Sequence, residues 1–246
     1  MADRTWPGVI EGRGLSPRAL AYATLFVSLL SLAATMPAQA EPAVVIPAPA
    51  FDPGPPAGTG LQTIVLAGGC FWGPQAVYEH IRGVTQALAG YAGGQKATAG
   101  NAEAVEDAES VQVTFDPRQI SLGKILQIHF SVAHNPTELN YQGPDVGPQY
   151  RSEIFYANDG QKRVAGAYIA QLNTAHVFAN VIVTKVEASP GFNPAEASDQ
   201  DYAVLHPDDS YVASNDQPML ANLKRLFPDY YRETPLTVSA SNKPTQ

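Results

Sequence analysis

Cys70 is the only cysteine among 246 residues, and it stands in the run Gly68-Gly69-Cys70-Phe71-Trp72-Gly73. An unpaired thiol is a buried small hydrophobe, an intermolecular link or a reactive group. Its neighbours favour reactivity. Glycines on both sides let the backbone turn tightly and leave the sulfur accessible. Phe71 and Trp72 set two large apolar surfaces beside it, as a pocket for a small greasy group requires. Thr63 to Ala67 reads as a short apolar strand, and Pro74 suits the first turn of a helix, so Cys70 falls at a strand-to-helix turn. Unpaired N–H groups and the helix dipole favour an anion there. That support is what a nucleophilic thiol needs, since a free thiol near pKa ~8.5 is only slightly ionised at neutral pH.

The elements that must hold this turn follow from periodicity. Ala76, Val77, His80 and Ile81 give the helix after Cys70 its spacing, with Gly83 as its C′ glycine. Val84 to Tyr91 is a strand closed by Gly93-Gly94, and Val111, Val113 and Phe115 alternate with polar residues up to Asp116-Pro117. Ser121 caps a helix carrying Leu122, Ile125, Leu126, His129 and Phe130, and Asp159 caps another carrying Val164, Tyr168, Ile169 and Leu172. Ile154 to Tyr156 and Val181 to Val186 fill strand roles, and Met219 to Phe227 a last short helix. This order predicts an α+β fold, a two-layer sandwich of helices on a mostly antiparallel or mixed sheet. The polar segment Asn135 to Arg151 has no periodicity, and a loop of that length in a compact domain is usually functional.

Outside this region the chain reads differently. Arg4, Arg13 and Arg18 precede the apolar run Ala19 to Ala34 and then Ala38-Gln39-Ala40, a secretory signal layout over residues 1–40 with cleavage after Ala40. Export to the periplasm or medium, with no membrane partner once the signal is removed, is the expectation. Residues 41–60, rich in proline and alanine, read as an extended linker that buries no core, 61–232 as the folded domain, and 233–246 as a flexible tail. A net charge of −8 without a basic run past the start excludes a phosphate-backbone binder, so nucleic acid is no partner. The five histidines show no metal spacing, and no bound cofactor is implied. His129 reads as a packing group.

Gly69-Cys70-Phe71-Trp72-Gly73 resembles the signature of the type A peptide methionine sulfoxide reductases. The resemblance continues in order through Gly90-Tyr91-Ala92-Gly93-Gly94, Ala108-Glu109-Ser110, Phe115-Asp116-Pro117, His134-Asn135-Pro136-Thr137, Gln142 to Ser152 and Leu223 to Pro228, spanning roughly Thr63 to Arg232. It implies a ferredoxin-like mixed sheet with long irregular loops, and reduction of methionine S-sulfoxide, free or in proteins. Cys70 attacks the sulfoxide sulfur and is left as a sulfenic acid. Glu109 is implied as the acid that protonates the oxygen. Independently, Glu109 shares the odd-numbered face of Val111, Val113 and Phe115, where apolar surroundings would keep a carboxyl protonated. Tyr150 and Asp145 are implied as hydrogen-bonding catalytic residues, Tyr150 toward the sulfoxide oxygen, with Phe71 and Trp72 holding the substrate methyl group. His134 and His206 fall in matching stretches without an assigned role.

The chain also departs from that pattern. The stretch between Gly94 and Glu109 is short and lacks a tyrosine that gives a second hydroxyl to the oxygen, a place that Tyr91 or Tyr141 is free to take. Asp107 replaces a frequent histidine, Asn135 a usual aspartate, and Ser198-Asp199-Gln200 a Tyr-His-Gln motif. With no second cysteine, the sulfenic acid must be returned by an external thiol, a thioredoxin-like protein or a small thiol. The expected assembly is a monomer. Two rival readings are a weakened relative that only binds oxidised methionine as a recognition module, and a thiol peroxidase.

Overall fold

A computed structural model describes Ala43 and residues 46–54, 58–94 and 106–238. The expected signal segment 1–40 lies outside the described residues, as do most of the shortened stretch and the last eight residues of the expected tail.

Apolar alternation builds the centre of the molecule. Strand β1 (Gln62–Ala67) sends Ile64 and Leu66 to one face and Val65 and Ala67 to the other, and all four are buried. It pairs antiparallel with β3 (Ala108–Phe115) from Gln62↔Phe115 to Ala67↔Ser110, and β3 pairs antiparallel with β2 (Val84–Ala92). On its other side β1 pairs antiparallel with β6 (Glu153–Tyr156), which pairs parallel with β7 (Lys185–Ala188). A two-residue strand β8 (Asn193–Pro194) adds to β2, giving the order β7-β6-β1-β3-β2-β8. The central four, β6-β1-β3-β2, are two interleaved split βαβ units, the ferredoxin-like arrangement that the resemblance implies. A separate hairpin, β4 (Tyr141–Gln142) with β5 (Asp145–Val146), lies in the long polar loop.

Four helical elements complete the helical layer and its flank: α1 (Trp72–Glu79), α2 (Leu122–Ile128), α3 (Asp159–Thr174) and α5 (Gln217–Leu226), with the short α4 (Tyr202–Leu205) before the last. The main core joins Ile64, Leu66, Val111, Val113 and Phe115 of the sheet to Val77, Ile125, Leu126, Tyr168 and Leu172 of the helices. Each such side chain contributes roughly 1.5–3 kcal/mol of burial.

The ends of several elements differ from the sequence expectation. Helix α1 stops at Glu79 rather than at Gly83, because His80 turns its Nδ1 back to the Ala76 carbonyl at 2.7 Å; Gly83 instead serves the turn into β2, at φ 92°. Asn158, not Asp159, caps α3, accepting the Gln161 N–H at 3.0 Å. Ser121 caps α2 as expected, and the helix continues through a π-turn, His129–Ala133. The strand expected over Val181 to Val186 begins only at Lys185.

The Pro- and Ala-rich stretch is no idle linker. Ile46 is buried in the main core, and the following residues strap across α2 and α3. Gln127 donates to the Ile46 carbonyl at 2.8 Å, Tyr168 to that of Pro47 at 2.8 Å, and Gln171 to that of Ala48 at 2.9 Å. Asp52 accepts the Gly123 N–H at 3.1 Å. The segment stays extended, as its prolines dictate, but its carbonyls remain free to accept. The expected tail is likewise tied as far as Val238: Leu236 N–H reaches the Glu79 carbonyl at 3.0 Å, and Val238 N–H reaches Asp201 at 2.9 Å.

Candidate active site

The turn between β1 and α1 is built by close approach. Gly69 has φ 98°, a conformation L side chains rarely adopt, and a Cβ there would lie 2.6 Å from Gln142 Cγ. A Cβ on Gly68 would lie 2.7 Å from the ring of His134. Both partners are themselves fixed. Gln142 exchanges two hydrogen bonds with the Asn135 backbone, and His134 bridges the His129 carbonyl at 3.1 Å and the Ser152 hydroxyl at 2.7 Å. The long loop therefore clamps the turn that carries Cys70, and His134, without an assigned role in the sequence, is one jaw of that clamp. His129 is buried, as a packing residue should be, and its Nδ1 meets the Tyr78 hydroxyl at 2.7 Å.

Cys70 is half-buried, and its sulfur faces the Trp72 N–H at the start of α1. The expected stabilisation of a thiolate does not win. Burial pushes the thiol pKa well above its ordinary value; the Trp72 N–H opposes this, while the carboxyls of Glu109, Asp216 and Asp145 add to it. The balance at Cys70 therefore favours the thiol over the thiolate.

Strand β3 extends back through Glu109, placing it opposite Tyr91 on β2. Its Oε2 accepts the Phe71 N–H at 3.2 Å, which sets the carboxyl beside the cysteine turn. Burial pushes Glu109 up to about 7, opposed by the Phe71 N–H and the Cys70 side chain and reinforced by Asp145 and Asp199. A carboxyl so placed holds a transferable proton near neutral pH. Phe71 is buried edge-on against the Tyr91 ring at 5.6 Å. Trp72 is stacked on Tyr202 at 3.9 Å and meets Tyr211 edge-on at 5.9 Å. Tyr150 ends a short 3-10 turn, Pro148–Tyr150, anchored by Arg151, whose guanidinium bonds the Pro148 and Glu106 carbonyls and Glu153 at 2.6–3.0 Å. Burial first, and then its acidic neighbours Glu109 and Asp145, raise its phenol pKa, so Tyr150 remains a donor.

A cavity of about 330 Å³ opens on Cys70 and is lined by His134, Gln142, Asp145, Tyr211, Asp216 and Met219, among others. Asp145, on β5, accepts a short hydrogen bond from the Tyr211 hydroxyl. Of the two hydroxyls offered for the missing tyrosine, that of Tyr91 belongs to the residue paired with Glu109, whereas Tyr141 lies on the exposed rim of the hairpin. Tyr211 and Asp216, which no sequence motif singled out, stand in the cavity instead. The Ser198-Asp199-Gln200 departure keeps its structural member: Gln200 bonds Gln75 at 2.9 Å and both the N–H and the carbonyl of Ala89, tying the loop to α1 and β2. Among the described residues no group of three His, Cys, Asp or Glu side chains is placed to hold a metal.

Comparison with known proteins agrees with this geometry. The pattern of the peptide methionine sulfoxide reductase family matches residues 62–230. A peptide methionine sulfoxide reductase MsrA 2 of Mesorhizobium japonicum is 50% identical over 192 residues, covering 76% of this chain and 98% of that protein. One of the same name from Synechocystis is 43% identical over 191 residues, covering 75% and 89%. Among solved structures, reduced Mxr1 from Saccharomyces cerevisiae superposes with a TM-score of 0.54 at 27% identity, covering 68% of this chain and 96% of the yeast protein.

Proposed function

The chain belongs to the peptide methionine sulfoxide reductase family, type A, an oxidoreductase that reduces methionine sulfoxide by thiol chemistry, and we propose how its residues divide that work. Cys70 is the nucleophile and Glu109 the acid. As the Cys70 sulfur bonds the sulfoxide sulfur, Glu109 delivers its proton to the oxygen; the resulting hydroxyl passes to the Cys70 sulfur as the S–S bond breaks, so that methionine leaves and Cys70 is left as a sulfenic acid. Tyr150 donates to the same oxygen. Asp145, held by Tyr211, orders that side of the site. Phe71 and Trp72 form the wall against which the methyl group packs by dispersion. The observation that carries this reading is the Glu109 carboxyl, seated on the Phe71 N–H beside Cys70 with a proton to give near neutral pH. A pocket that only bound the sulfoxide would need no such acid.

The substrate is the S epimer of methionine sulfoxide, free or in oxidised proteins, and the sulfenic acid is returned by an external thiol, a thioredoxin-like protein or a small thiol. The protein acts as an exported monomer, its signal cut after Ala40. That cut leaves the strap from Ile46 to Asp52 on the mature chain, where the core uses it. Resolved S and R epimers, supplied with dithiothreitol, test the reading: only the S form should be consumed, and consumption of the R form at a similar rate would overturn it. The intact mass of exported protein should begin at Glu41.

A further inference from the structure

Asp216 is a carboxyl of the site that the proposed function leaves without a role. It ends a π-turn, Val212–Asp216, immediately before α5, and is 1% exposed. Its Oδ2 has no hydrogen-bond partner among the described residues. A buried carboxyl left unpaired is costly, and such groups persist where function requires them. Asp216 is also aimed. It lines the cavity that Cys70 lines, and its Oδ1 would lie 2.5 Å from a Cβ on Gly73, so only glycine lets it rest on the first turn of α1. Tyr211, the nearest phenol on its own segment, donates its hydrogen bond to Asp145 rather than to Asp216.

We propose that Asp216 is the general base that takes the proton from Cys70 as the thiol attacks, so that the site works with two carboxyls of opposite duty. The inference rests on the reductase reading above. Cys70 needs a base because it is held as a thiol, and Glu109 cannot serve, since its proton must be present to be given away. Burial first, then the charges of Asp145 and Asp209, push Asp216 up to about 7, which leaves it partly ionised at neutral pH. The groups that act on it are Asp145, Asp209, Tyr211 and Cys70.

Protons and electrons then close. In the first step the Cys70 thiol, ionised Asp216, protonated Glu109 and the sulfoxide give Cys70 sulfenic acid, protonated Asp216, ionised Glu109 and methionine; sulfur in the sulfoxide is reduced and Cys70 is oxidised. In the second, an incoming thiol gives its proton to Glu109 and bonds the Cys70 sulfur. Asp216 returns its proton to the departing hydroxide, which leaves as water. A second thiol then releases Cys70 as the thiol, and both carboxyls stand as they began.

The test compares two readouts of the full exported protein and of Asp216→Asn. Removing a neighbouring negative charge should lower the Cys70 pKa and speed its alkylation by iodoacetamide, whereas loss of the base should slow single-turnover methionine formation by about 100-fold or more. Opposite movement of the two rates is the expected result. In the wild type the single-turnover rate should rise with pH from 5 to about 7 as Asp216 ionises, and this needs no variant to fold. Formate should restore part of the rate to Asp216→Ala. Wild-type reduction by Asp216→Asn, both rates moving together, or a wild-type rate that is flat from pH 5 to 7 would overturn the role. Failure of the wild type to form methionine at all would instead remove the reductase reading beneath it.

Discussion

Glu109→Gln removes one proton and little else. Glutamine keeps the size of the side chain and an oxygen to accept the Phe71 N–H, which Glu109 now accepts at 3.2 Å. What disappears is an acid whose pKa stands at about 7. General acid catalysis by a positioned group is worth about 100-fold to 10,000-fold. At 1.36 kcal/mol per factor of ten, that is a barrier increase of about 2.7–5.4 kcal/mol. The pH dependence has a definite sign. Glu109 acts in its protonated form, so the wild-type rate should fall as pH rises through 7, approaching tenfold per unit above it, and the Gln variant should lack that limb. The assay is methionine formation from methionine S-sulfoxide in single turnover between pH 6 and 9, with sulfoxide affinity measured separately. Affinity should stay nearly constant while the rate collapses. A Gln variant that turns over at the wild-type rate, or that keeps the alkaline limb, would remove Glu109 from the mechanism.

Other perturbations test the frame around the site. Ile46→Ala, at a core position 2% exposed, should cost about 2–5 kcal/mol and lower the Tm by roughly 5–15 °C; an unchanged Tm would mean that the strap carries no core weight. Gly69→Ala forces a side chain into φ 98° and against Gln142, so turnover should drop with the turn displaced, and a fully active Ala variant would contradict the clamp. Glu79 is pushed up to about 10, by burial first and then by Asp201. Its native pKa lies above its unfolded one, so its contribution to stability is whole below pH 4.5 and is lost as pH rises toward 10. Glu79→Gln should therefore be more stable than the wild type in urea at pH 8–9, by a margin that shrinks toward pH 5; a constant margin would refute the assignment.

Much of the site could be read in the sequence because short-range rules govern it. The glycines around Cys70, the strand before it and Pro74 after it fix the turn, and period-two alternation carries Glu109 onto the face of Val111 and Val113. What escaped depends on contacts distant in the chain. A Pro- and Ala-rich strap looks like a linker because proline removes donors, yet Gln127, Tyr168 and Gln171 bond its carbonyls, and Gln171 also accepts the Ala50 N–H. The helix start at Cys70 argued for a thiolate, but burial outweighs it, helped by the carboxyls of Glu109, Asp216 and Asp145, which arrive from three other segments. Asp216 itself precedes α5 in no recognisable motif, and its burial, its unpartnered Oδ2 and its place on the Cys70 cavity arise only from packing.

The assignment of Cys70 as the nucleophile is tested most directly by mixing reduced protein, residues 41–246, with racemic methionine sulfoxide in the absence of reductant. One equivalent of methionine per protein, drawn from the S epimer and absent from Cys70→Ser, is the expected result. Methionine formed by Cys70→Ser, or none formed by a folded wild-type protein that binds the sulfoxide, would contradict it.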